Sequence, residues 1–265
     1  MKTYFVDAFT NQKFKGNPAA VCIINKPLTE NTMQNIAKEI GFSETAFVNI
    51  ISDTTYRIRF FTPKKEISLC GHATLASAKV IFETTGIERI SFLNTENTEL
   101  DIEKAGAIIK MQFPVYDTEV IKVPESMLNA LGISSITESR YNPENKIILI
   151  EINSTDTLGK LSPDFVSLVK SYSGINGVLV TAKAKDQIFD FHLRYFWPWA
   201  GTNEDPVTGG VQTFLTKYWS EKLNKYKLDC FQSSERTGIM STELSNDIVC
   251  ICGEAQIVFE GKFKI

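Results

Sequence analysis

Two stretches of the chain carry the same strand pattern, about half the chain length apart. Residues 56–63 read Tyr-Arg-Ile-Arg-Phe-Phe-Thr-Pro, and residues 191–198 read Phe-His-Leu-Arg-Tyr-Phe-Trp-Pro. Both have the alternating side-chain pattern of a strand, and in both an Arg is followed by two aromatic residues, one further residue and a Pro. Each is followed by a loop that enters a helix through small residues, at 69–74 and at 205–210. The shared order predicts an internal duplication, with a period too long for a solenoid.

The duplication predicts two α/β domains related by a pseudo-two-fold axis. The chain has 265 residues, of which 43% are apolar, so it is long enough for one large domain or two smaller ones. We place the linker at 113–120, so that residues 1–115 form an N-terminal half and residues 116–254 a C-terminal half. The final strand, about 255–265, is expected to pack back onto the first half.

Strand-like and helix-like segments alternate along the chain with few long loops. Periodicity, caps and breakers predict helices at 30–40, 71–83, 125–131, 163–171 and 207–223. They predict strands at 4–9, 19–24, 45–51, 55–61, 89–93, 99–103, 107–113, 146–152, 177–182, 189–196, 227–232, 238–244, 247–252 and 255–260. The small residues of the second helix predict that it is buried and wrapped by strands.

Composition and charge exclude several classes of partner. The chain has 28 basic and 31 acidic residues, so it offers no basic face for nucleic acid. Its apolar runs are too short to span a membrane. Residues 1–7 lead into a strand without a signal-peptide pattern. The five cysteines lack the spacing of a disulfide framework, which fits a reducing compartment. We therefore expect a cytoplasmic protein.

The two repeated loops suit a small anionic ligand. Helix N-termini present unpaired backbone N–H groups and the positive end of the helix dipole, and glycines there let a ligand come close. Two such termini facing one cleft between the halves would hold a carboxylate-bearing molecule. Neither loop has the glycine spacing of a nucleotide site, so no nucleotide cofactor is indicated.

Glu44 lies between a helix stop at Gly41 and an apolar strand. Local sequence alone favours a solvated loop residue at this position. The alternative is a carboxyl group held against apolar walls of Phe42 and Phe47. Burial would then raise its pKa toward neutrality, which suits a group that both accepts and returns a proton.

Two further polar residues stand at the repeated helix starts. His72 in the first turn of a helix is expected to be neutral, and to donate a hydrogen bond to a ligand or to serve in capping or packing. Asp205 precedes a proline and is either an N-cap or a ligand contact. The other histidine, His192, alternates with apolar residues in a strand and is expected to be structural.

The cysteines offer weaker signals. Cys70 at a helix start is either a reactive thiol or a small buried residue, and no second cysteine occupies the matching place in the other half. Cys70, His72 and Asp205 are too sparse for a dedicated zinc site, so we expect no metal. Cys250 and Cys252 point to the same face of a strand, where packing is the expected role.

Several motifs in their order resemble the phenazine-biosynthesis PhzF-like proteins, within the diaminopimelate-epimerase-like fold. The likeness covers nearly the whole chain, and its most specific parts are Cys70–Thr74 and Glu204–Gly209. The remaining motifs are Asp7–Thr10, Gly16–Val21, Glu44–Phe47, Gln232 with Arg236–Gly238, and Gly253–Ala255 ahead of Glu260-Gly261.

The resemblance implies an α+β fold of two pseudo-symmetric halves, each a mixed barrel-like sheet curled around a central helix. It implies a site without metal or organic cofactor, in which Glu44 is the general acid/base of an isomerase. Members of the family are commonly homodimers. The resemblance also implies a set of substrate-binding residues, in which backbone amides of the glycines hold the acid group: His72, Asp205, Asn17, Gly71, Gly209 and Gly210.

We therefore expect a cofactor-independent isomerase that uses Glu44 to move a proton on a small carboxylate-bearing substrate, unsaturated or amino-acid-like. Two alternatives stay open: a non-catalytic small-molecule-binding protein on the same fold, and a one-thiol racemase using Cys70. The chain has Gly210-Val211 where the family often has Ser-Ala, so a hydroxyl that could contact substrate is missing. Phenazine synthesis does not follow from the resemblance, because the fold carries varied substrates.

Overall fold

The computed structural model describes residues 1–265. Its internal contacts divide the chain into two compact units. Unit 1 consists of Met1–Phe113 together with Cys250–Ile265, and unit 2 consists of Pro114–Val249. None of the helices combines the length and the apolar character needed to cross a bilayer.

Six helices and eighteen strands make up the two units. The helices are α1 Glu30–Ile40, α2 Gly71–Thr85, α3 Glu125–Leu131, α4 Thr155–Gly159, α5 Phe165–Ser171 and α6 Gln212–Leu223. The strands of the first part of the chain are β1 Lys2–Ala8, β2 Asn17–Ile24, β3 Glu44–Ile50, β4 Thr55–Phe61, β5 Glu66–Ile67, β6 Arg89–Leu93, β7 Glu99–Ala105 and β8 Ile108–Pro114. The remaining strands are β9 Glu119–Val120, β10 Glu138–Asn142, β11 Ile147–Ile152, β12 Gly177–Lys183, β13 Phe191–Phe196, β14 Glu204–Asp205, β15 Lys227–Gln232, β16 Gly238–Ser245, β17 Ile248–Gly253 and β18 Ala255–Lys262.

The sheet of unit 1 mixes parallel and antiparallel pairs. Its strands pair in the order β18, β1, β2, β3, β4, β6, β7, β8. The pairs β2/β3 and β4/β6 are parallel and the others are antiparallel. The last strand, β18, pairs with β1 along its whole length. Parallel and antiparallel strands with few helices make the fold α+β, which confirms the predicted class.

Helix α2 is the central helix of unit 1. It contacts β1, β2, β3 and β18, and its residues from His72 to Ala78 are all buried. Small side chains allow strands to approach it on several faces. The buried hydroxyls of Thr74 and Ser77 donate to the carbonyl oxygens one turn back, Cys70 and Ala73, so they bury no unpaired donor. These two polar residues of α2 are therefore buried with their hydroxyl donors satisfied within the helix.

Unit 2 repeats the pairing order of unit 1. Its strands pair in the order β10, β11, β12, β13, β15, β16, with β11/β12 and β13/β15 parallel and the others antiparallel. The alternation of antiparallel and parallel pairs is the same as in β1, β2, β3, β4, β6, β7. The structure thus gives both units one topology, and the duplication of sequence behind it stays a prediction.

The repeated Arg-aromatic-aromatic pattern forms the same contacts twice. Arg59 binds Glu66 through two hydrogen bonds of 2.7 Å, and Arg194 binds Glu204 in the same way. Each glutamate lies opposite the second aromatic residue, in a two-residue strand. One position further, Asp205 lies opposite Tyr195 in unit 2. Asp205 therefore occupies a fixed place in the repeated topology.

Some elements differ from their predicted bounds. Helix α6 begins at Gln212 instead of 207, because the N–H of Thr208 is held by the side chain of Gln232, at 2.8 Å, outside a helical turn. Helix α4 was not predicted; the hydroxyl of Ser154 caps it by accepting from the N–H of Thr157. Strand β10 and the two-residue strands β5, β9 and β14 were also missed, since the two-residue segments are too short to show a period.

Candidate active site

Glu44 is the first residue of β3 and is buried. Gly41 ends α1 in the left-handed region, with φ of 74°, and its N–H donates to the carbonyl oxygen of Ala37. The chain then turns at once into β3, which pairs in parallel with β2 and sets Glu44 opposite Ala19. Only 4% of Glu44 is exposed. The alternative of a solvated loop residue is therefore wrong.

The predicted apolar wall of Phe47 is not found. Side chains alternate between the two faces of a strand, so positions 44 and 47 of β3 face opposite sides. Phe47 packs in a separate core cluster with Met33 and Ile36 of α1. The other predicted wall residue, Phe42, makes an edge-to-face contact with Phe5, at 4.9 Å between ring centroids.

His72 lies directly against Glu44. Its Nε2 is 3.1 Å from Oε2 of Glu44, and both side chains are more than nine-tenths buried. The contact is an ion pair without hydrogen-bond alignment, because Oε2 accepts no hydrogen bond. On the other side of the ring, the amide nitrogen of Asn17 is 3.2 Å from Nδ1. Unit 1 thus brings together three of the predicted site residues.

The pKa values of this pair run opposite to the sequence-based expectation. Burial opposes ionisation of Glu44, but the charge and contact of His72 outweigh it, so the pKa of Glu44 is lowered. Burial likewise opposes protonation of His72, but the neighbouring Cys70 sulfur and Glu44 carboxylate raise the pKa of His72 well above its usual value. The predictions of a raised Glu44 pKa and a neutral His72 are therefore wrong, and the ligand-free pair is carboxylate and imidazolium.

Cys70 is the N-cap residue of α2 and the fourth member of the cluster. Its Sγ is 3.5 Å from Nδ1 and 3.9 Å from Nε2 of His72. Burial, which is the largest effect, raises the pKa of its thiol even though His72 acts in the opposite direction. Only 8% of Cys70 is exposed. The structure therefore favours a small buried thiol over a thiolate nucleophile.

The cluster contains three types of metal-binding atom. A carboxylate oxygen of Glu44, the sulfur of Cys70 and a ring nitrogen of His72 lie within 4.8 Å of one another. The sequence-based interpretation weighed Cys70 and His72 together with Asp205, and it missed Glu44 as a donor. Glu44 was missed because it comes from a strand far from α2 in sequence, so spacing gave no signal.

Asp205 is held in place within unit 2. It is buried, with 6% exposed, and the hydroxyl of Thr208 donates to its Oδ2 at 2.6 Å. The N-cap of α6 is Val211, so the alternative role of Asp205 as N-cap is wrong. Of the predicted glycines, Gly71 opens α2, whereas Gly209 and Gly210 precede α6 and accept from the N–H groups of its first residues.

Gln232 is a residue that sequence reasoning left without a role. It is fully buried at the end of β15. Its Nε2 donates to the carbonyl oxygen of Asp205 at 2.8 Å and to the hydroxyl of Thr208 at 3.3 Å. Its Oε1 accepts from the N–H of Thr208 at 2.8 Å. The side-chain amide of Gln232 therefore holds both the backbone of Asp205 and Thr208, the residue that donates to the Asp205 carboxylate. The only signal for this role in the sequence was the presence of Gln232 among the family motifs.

His192 lies where a structural role was expected. It packs between the rings of Phe189 and Phe231, with centroids at 5.7 and 5.1 Å. Burial, the largest effect, lowers its pKa, and Asp186 only partly offsets it. The pKa of His192 is therefore lowered, whereas the pKa of His72 is raised.

The chain matches a family model described as phenazine biosynthesis-like protein over residues 6–261. It is 40% identical to an uncharacterized isomerase of Halalkalibacterium halodurans, over 99% of this chain and 98% of that protein. It is 38% identical to an uncharacterized isomerase of Pseudomonas aeruginosa, over 98% of this chain and 97% of that protein.

Solved structures agree with the family match. A PhzF-family phenazine biosynthesis protein of Enterococcus faecalis is 36% identical, with a TM-score of 0.93, over 100% of this chain and 99% of that one. A hydroxyproline epimerase of Agrobacterium vitis shares the fold alone, at 10% identity and a TM-score of 0.62, over 98% of this chain and 90% of that one. The chain therefore belongs to the phenazine biosynthesis-like PhzF family and is an isomerase.

Proposed function

We propose that the protein moves a proton on a small carboxylate-bearing substrate, unsaturated or amino-acid-like, by general acid/base catalysis at Glu44. The observation that carries this proposal is the buried pair of Glu44 and His72, with 3.1 Å between Oε2 and Nε2. A general base must be ionised when the substrate arrives and within reach of the proton that it accepts. The neighbouring imidazolium keeps the buried Glu44 ionised, which meets the first requirement.

The ion pair sets the direction of the first proton transfer. The lowered pKa of Glu44 keeps it ionised in the ligand-free protein, so it starts as the base. The same imidazolium makes Glu44 a weaker base than an isolated buried carboxylate. A substrate that takes a hydrogen bond from His72 would weaken the ion pair and raise the pKa of Glu44 as the proton arrives. Glu44 would then return this proton to a second position of the conjugated substrate.

Further residues are proposed to bind and orient the substrate. The amide group of Asn17 lies against Nδ1 of His72, with its nitrogen at 3.2 Å, and with its oxygen turned to the ring it would accept the Nδ1–H of the imidazolium and fix the ring. Cys70 makes no side-chain cap to α2, so backbone N–H groups in its first turn lack a capping oxygen and suit a carboxylate. From unit 2, the proposal includes Asp205, Gly209 and Gly210, on the strength of the family motif.

Deuterium exchange tests the role of Glu44. Wild-type protein in deuterated buffer would be incubated with a panel of saturated and β,γ-unsaturated α-amino and α-hydroxy acids, with exchange followed by proton NMR. We expect Glu44→Gln to reduce exchange by about 10²-fold or more, the usual contribution of a positioned general base. The matched control is Glu83→Gln, which neutralises an exposed carboxylate paired with Lys79 on α2. Exchange that persists in Glu44→Gln would refute the proposal.

Two further outcomes separate the alternatives. Cys70→Ser should retain exchange, whereas a one-thiol racemase would lose it, since a hydroxyl is a far weaker base than a thiolate. A non-catalytic binding protein would show saturable binding of a panel member by NMR line broadening, with no exchange in the wild type. The raised pKa of Cys70 and the 3.1 Å contact between Glu44 and His72 favour retained exchange in Cys70→Ser.

A further inference from the structure

The donor set at Glu44 contains one group that the proposed chemistry does not use. The mechanism assigns steps to Glu44 and His72 and none to the sulfur of Cys70, although this sulfur lies within 4.8 Å of the donor atoms of both. All three residues are more than nine-tenths buried. We propose that Glu44, Cys70 and His72 form a binding site for Zn²⁺, and that the bound ion inhibits the isomerase.

The spacing of the donor atoms suits a tetrahedral ion. Zinc bonds of about 2.3 Å to sulfur and about 2.0–2.1 Å to nitrogen and oxygen place tetrahedral donors roughly 3.3–3.6 Å apart. The separation of Nε2 in His72 from Oε2 in Glu44 is 3.1 Å, and its separation from Sγ of Cys70 is 3.9 Å. Both separations lie within about 0.3 Å of the tetrahedral values.

An oxygen of the site lacks a hydrogen bond in its buried position. Oε2 of Glu44 accepts no hydrogen bond, although it is completely buried. Oε2 thus faces the imidazolium without a directed hydrogen bond, and a metal bond would give it a partner of defined geometry. The amide group of Asn17 lies against the far nitrogen of His72, with its own nitrogen at 3.2 Å, and with its oxygen turned to the ring it would accept the Nδ1–H and orient the metal-bound imidazole.

The charges of the site balance for a divalent ion. The bound form contains a carboxylate, a thiolate and a neutral imidazole, which together neutralise the two positive charges of Zn²⁺. The thiol proton of Cys70 and the proton on Nε2 of His72 pass to solvent on binding. Sulfur and nitrogen donors select Zn²⁺ over Mg²⁺ and Ca²⁺, which prefer oxygen ligands. Three protein ligands leave a fourth position for water or a substrate oxygen.

Inhibition follows from the identity of the ligands, and this consequence rests on the proposed function. A metal bond to Oε2 occupies the lone pair with which Glu44 would accept the substrate proton. A metal bond to Nε2 removes the N–H that His72 would offer. Zn²⁺ would therefore stop proton transfer whether or not substrate still binds.

Cobalt absorption tests the site without any turnover. Protein freed of metal with EDTA would be titrated with Co²⁺, which reports a sulfur ligand by a near-ultraviolet charge-transfer band and a tetrahedral site by intense visible bands. We expect one saturable Co²⁺ per chain, displaced by Zn²⁺. Cys70→Ser should lose the charge-transfer band, and Glu44→Gln should bind Co²⁺ about tenfold more weakly or worse.

The matched control is Cys250→Ser combined with Cys252→Ser, since these two thiols lie 3.8 Å apart in unit 1 and are the other candidate sulfur ligands. The double variant should keep the complete spectrum. No saturable Co²⁺ binding, or a charge-transfer band that survives Cys70→Ser, would overturn the proposal.

A measurement without substitution guards against misfolding of Cys70→Ser. Zn²⁺ should slow alkylation of Cys70 by N-ethylmaleimide in the wild type, read by peptide mass spectrometry, and leave Cys250 and Cys252 unaffected. Equal rates at Cys70 with and without Zn²⁺ would refute the site. Because absorption and alkylation involve no turnover, they decide the metal site independently of whether Glu44 is the general base.

Discussion

Nε2 of His72 lies 3.1 Å from Oε2 of Glu44, although one residue lies in the first turn of a helix and the other opens a strand. The contact places an opposite charge directly beside each group, and both side chains are more than nine-tenths buried. A change in either residue should therefore alter the protonation of its partner.

The first prediction concerns the pKa of Glu44 in His72→Gln. Without the imidazolium, burial acts unopposed by its charge, so the pKa of Glu44 should rise. The low-pH limb of the deuterium-exchange profile should then move to higher pH, and ¹³C NMR of the Glu44 carboxyl group should show the same direction without substrate. The control is His192→Gln, which removes the histidine of unit 2. An unchanged Glu44 titration in His72→Gln would contradict the ion pair.

The second prediction concerns stability and pH. The pKa of His72 is raised above its usual 6.5, so its stabilising contribution is complete below that pH and is lost as the pH rises through the folded-state value. The pKa of Glu44 is lowered below its usual 4.5, so its contribution is present above 4.5 and is lost as the pH falls through the folded-state value. The free energy of unfolding of the wild type should therefore exceed that of Glu44→Gln by the largest amount between pH 4.5 and pH 6.5.

Urea denaturation of both proteins across the pH range, in the presence of EDTA, measures this difference. Glu83→Gln serves as the control, since its carboxylate is exposed and should give only a small difference. A difference between wild type and Glu44→Gln that is constant with pH would show that the pair is not ionised in the folded protein.

The third prediction concerns the glycine that supports the Asp205 loop. A Cβ on Gly238 would lie 2.3 Å from Cγ2 of the fully buried Val207, which is far inside contact distance. Gly238→Ala should therefore destabilise the protein by about 1–3 kcal/mol, the usual cost of overpacking. Gly159→Ala in α4 is the control, because nothing lies within 4 Å of its added Cβ. Equal denaturation midpoints for both variants would contradict the packing argument.

The fourth prediction compares the two repeated arginines. Arg194 binds Glu204 and also donates to the carbonyl oxygens of Leu158 and Leu161, at 3.3 and 2.6 Å, with its side chain 10% exposed. Arg59 binds Glu66 with its side chain 26% exposed. A lysine keeps the charge but loses the two-pronged geometry. Arg194→Lys should cost about 2 kcal/mol or more, and Arg59→Lys less than about 1 kcal/mol, by urea denaturation.

Equal costs for the two substitutions would mean that the carbonyl contacts of Arg194 contribute nothing to stability. A larger cost for Arg59→Lys than for Arg194→Lys would show that the more exposed arginine contributes more to the free energy of unfolding than the buried one.

Local chemistry made several elements predictable. Helix α1 lies at 30–40 as predicted, because its Thr29 cap and Gly41 stop act on adjacent residues. The start of α6 was not predictable, because the residue that holds the preceding loop, Gln232, is distant in sequence.

The direction of the pKa shift at Glu44 also depended on a residue that is distant in sequence. Family motifs identified Glu44 and His72, but their spacing in sequence carried no information on the 3.1 Å contact. Without that contact, burial was the only effect that could be assigned to Glu44, and it predicted the wrong direction for the pKa. Only the fold supplied the charge that reverses it.

The pairing of β1 with β18 affects the order in which the two units can be completed during synthesis. Residues 2–8 leave the ribosome before unit 2, but their partners at 255–262 are made after all of unit 2. Unit 2 is one continuous segment and has all of its strands earlier. The unit that contains Glu44 therefore closes later than unit 2, and a nascent chain should complete the sheet around the Glu44–His72 pair only after its neighbour has been made.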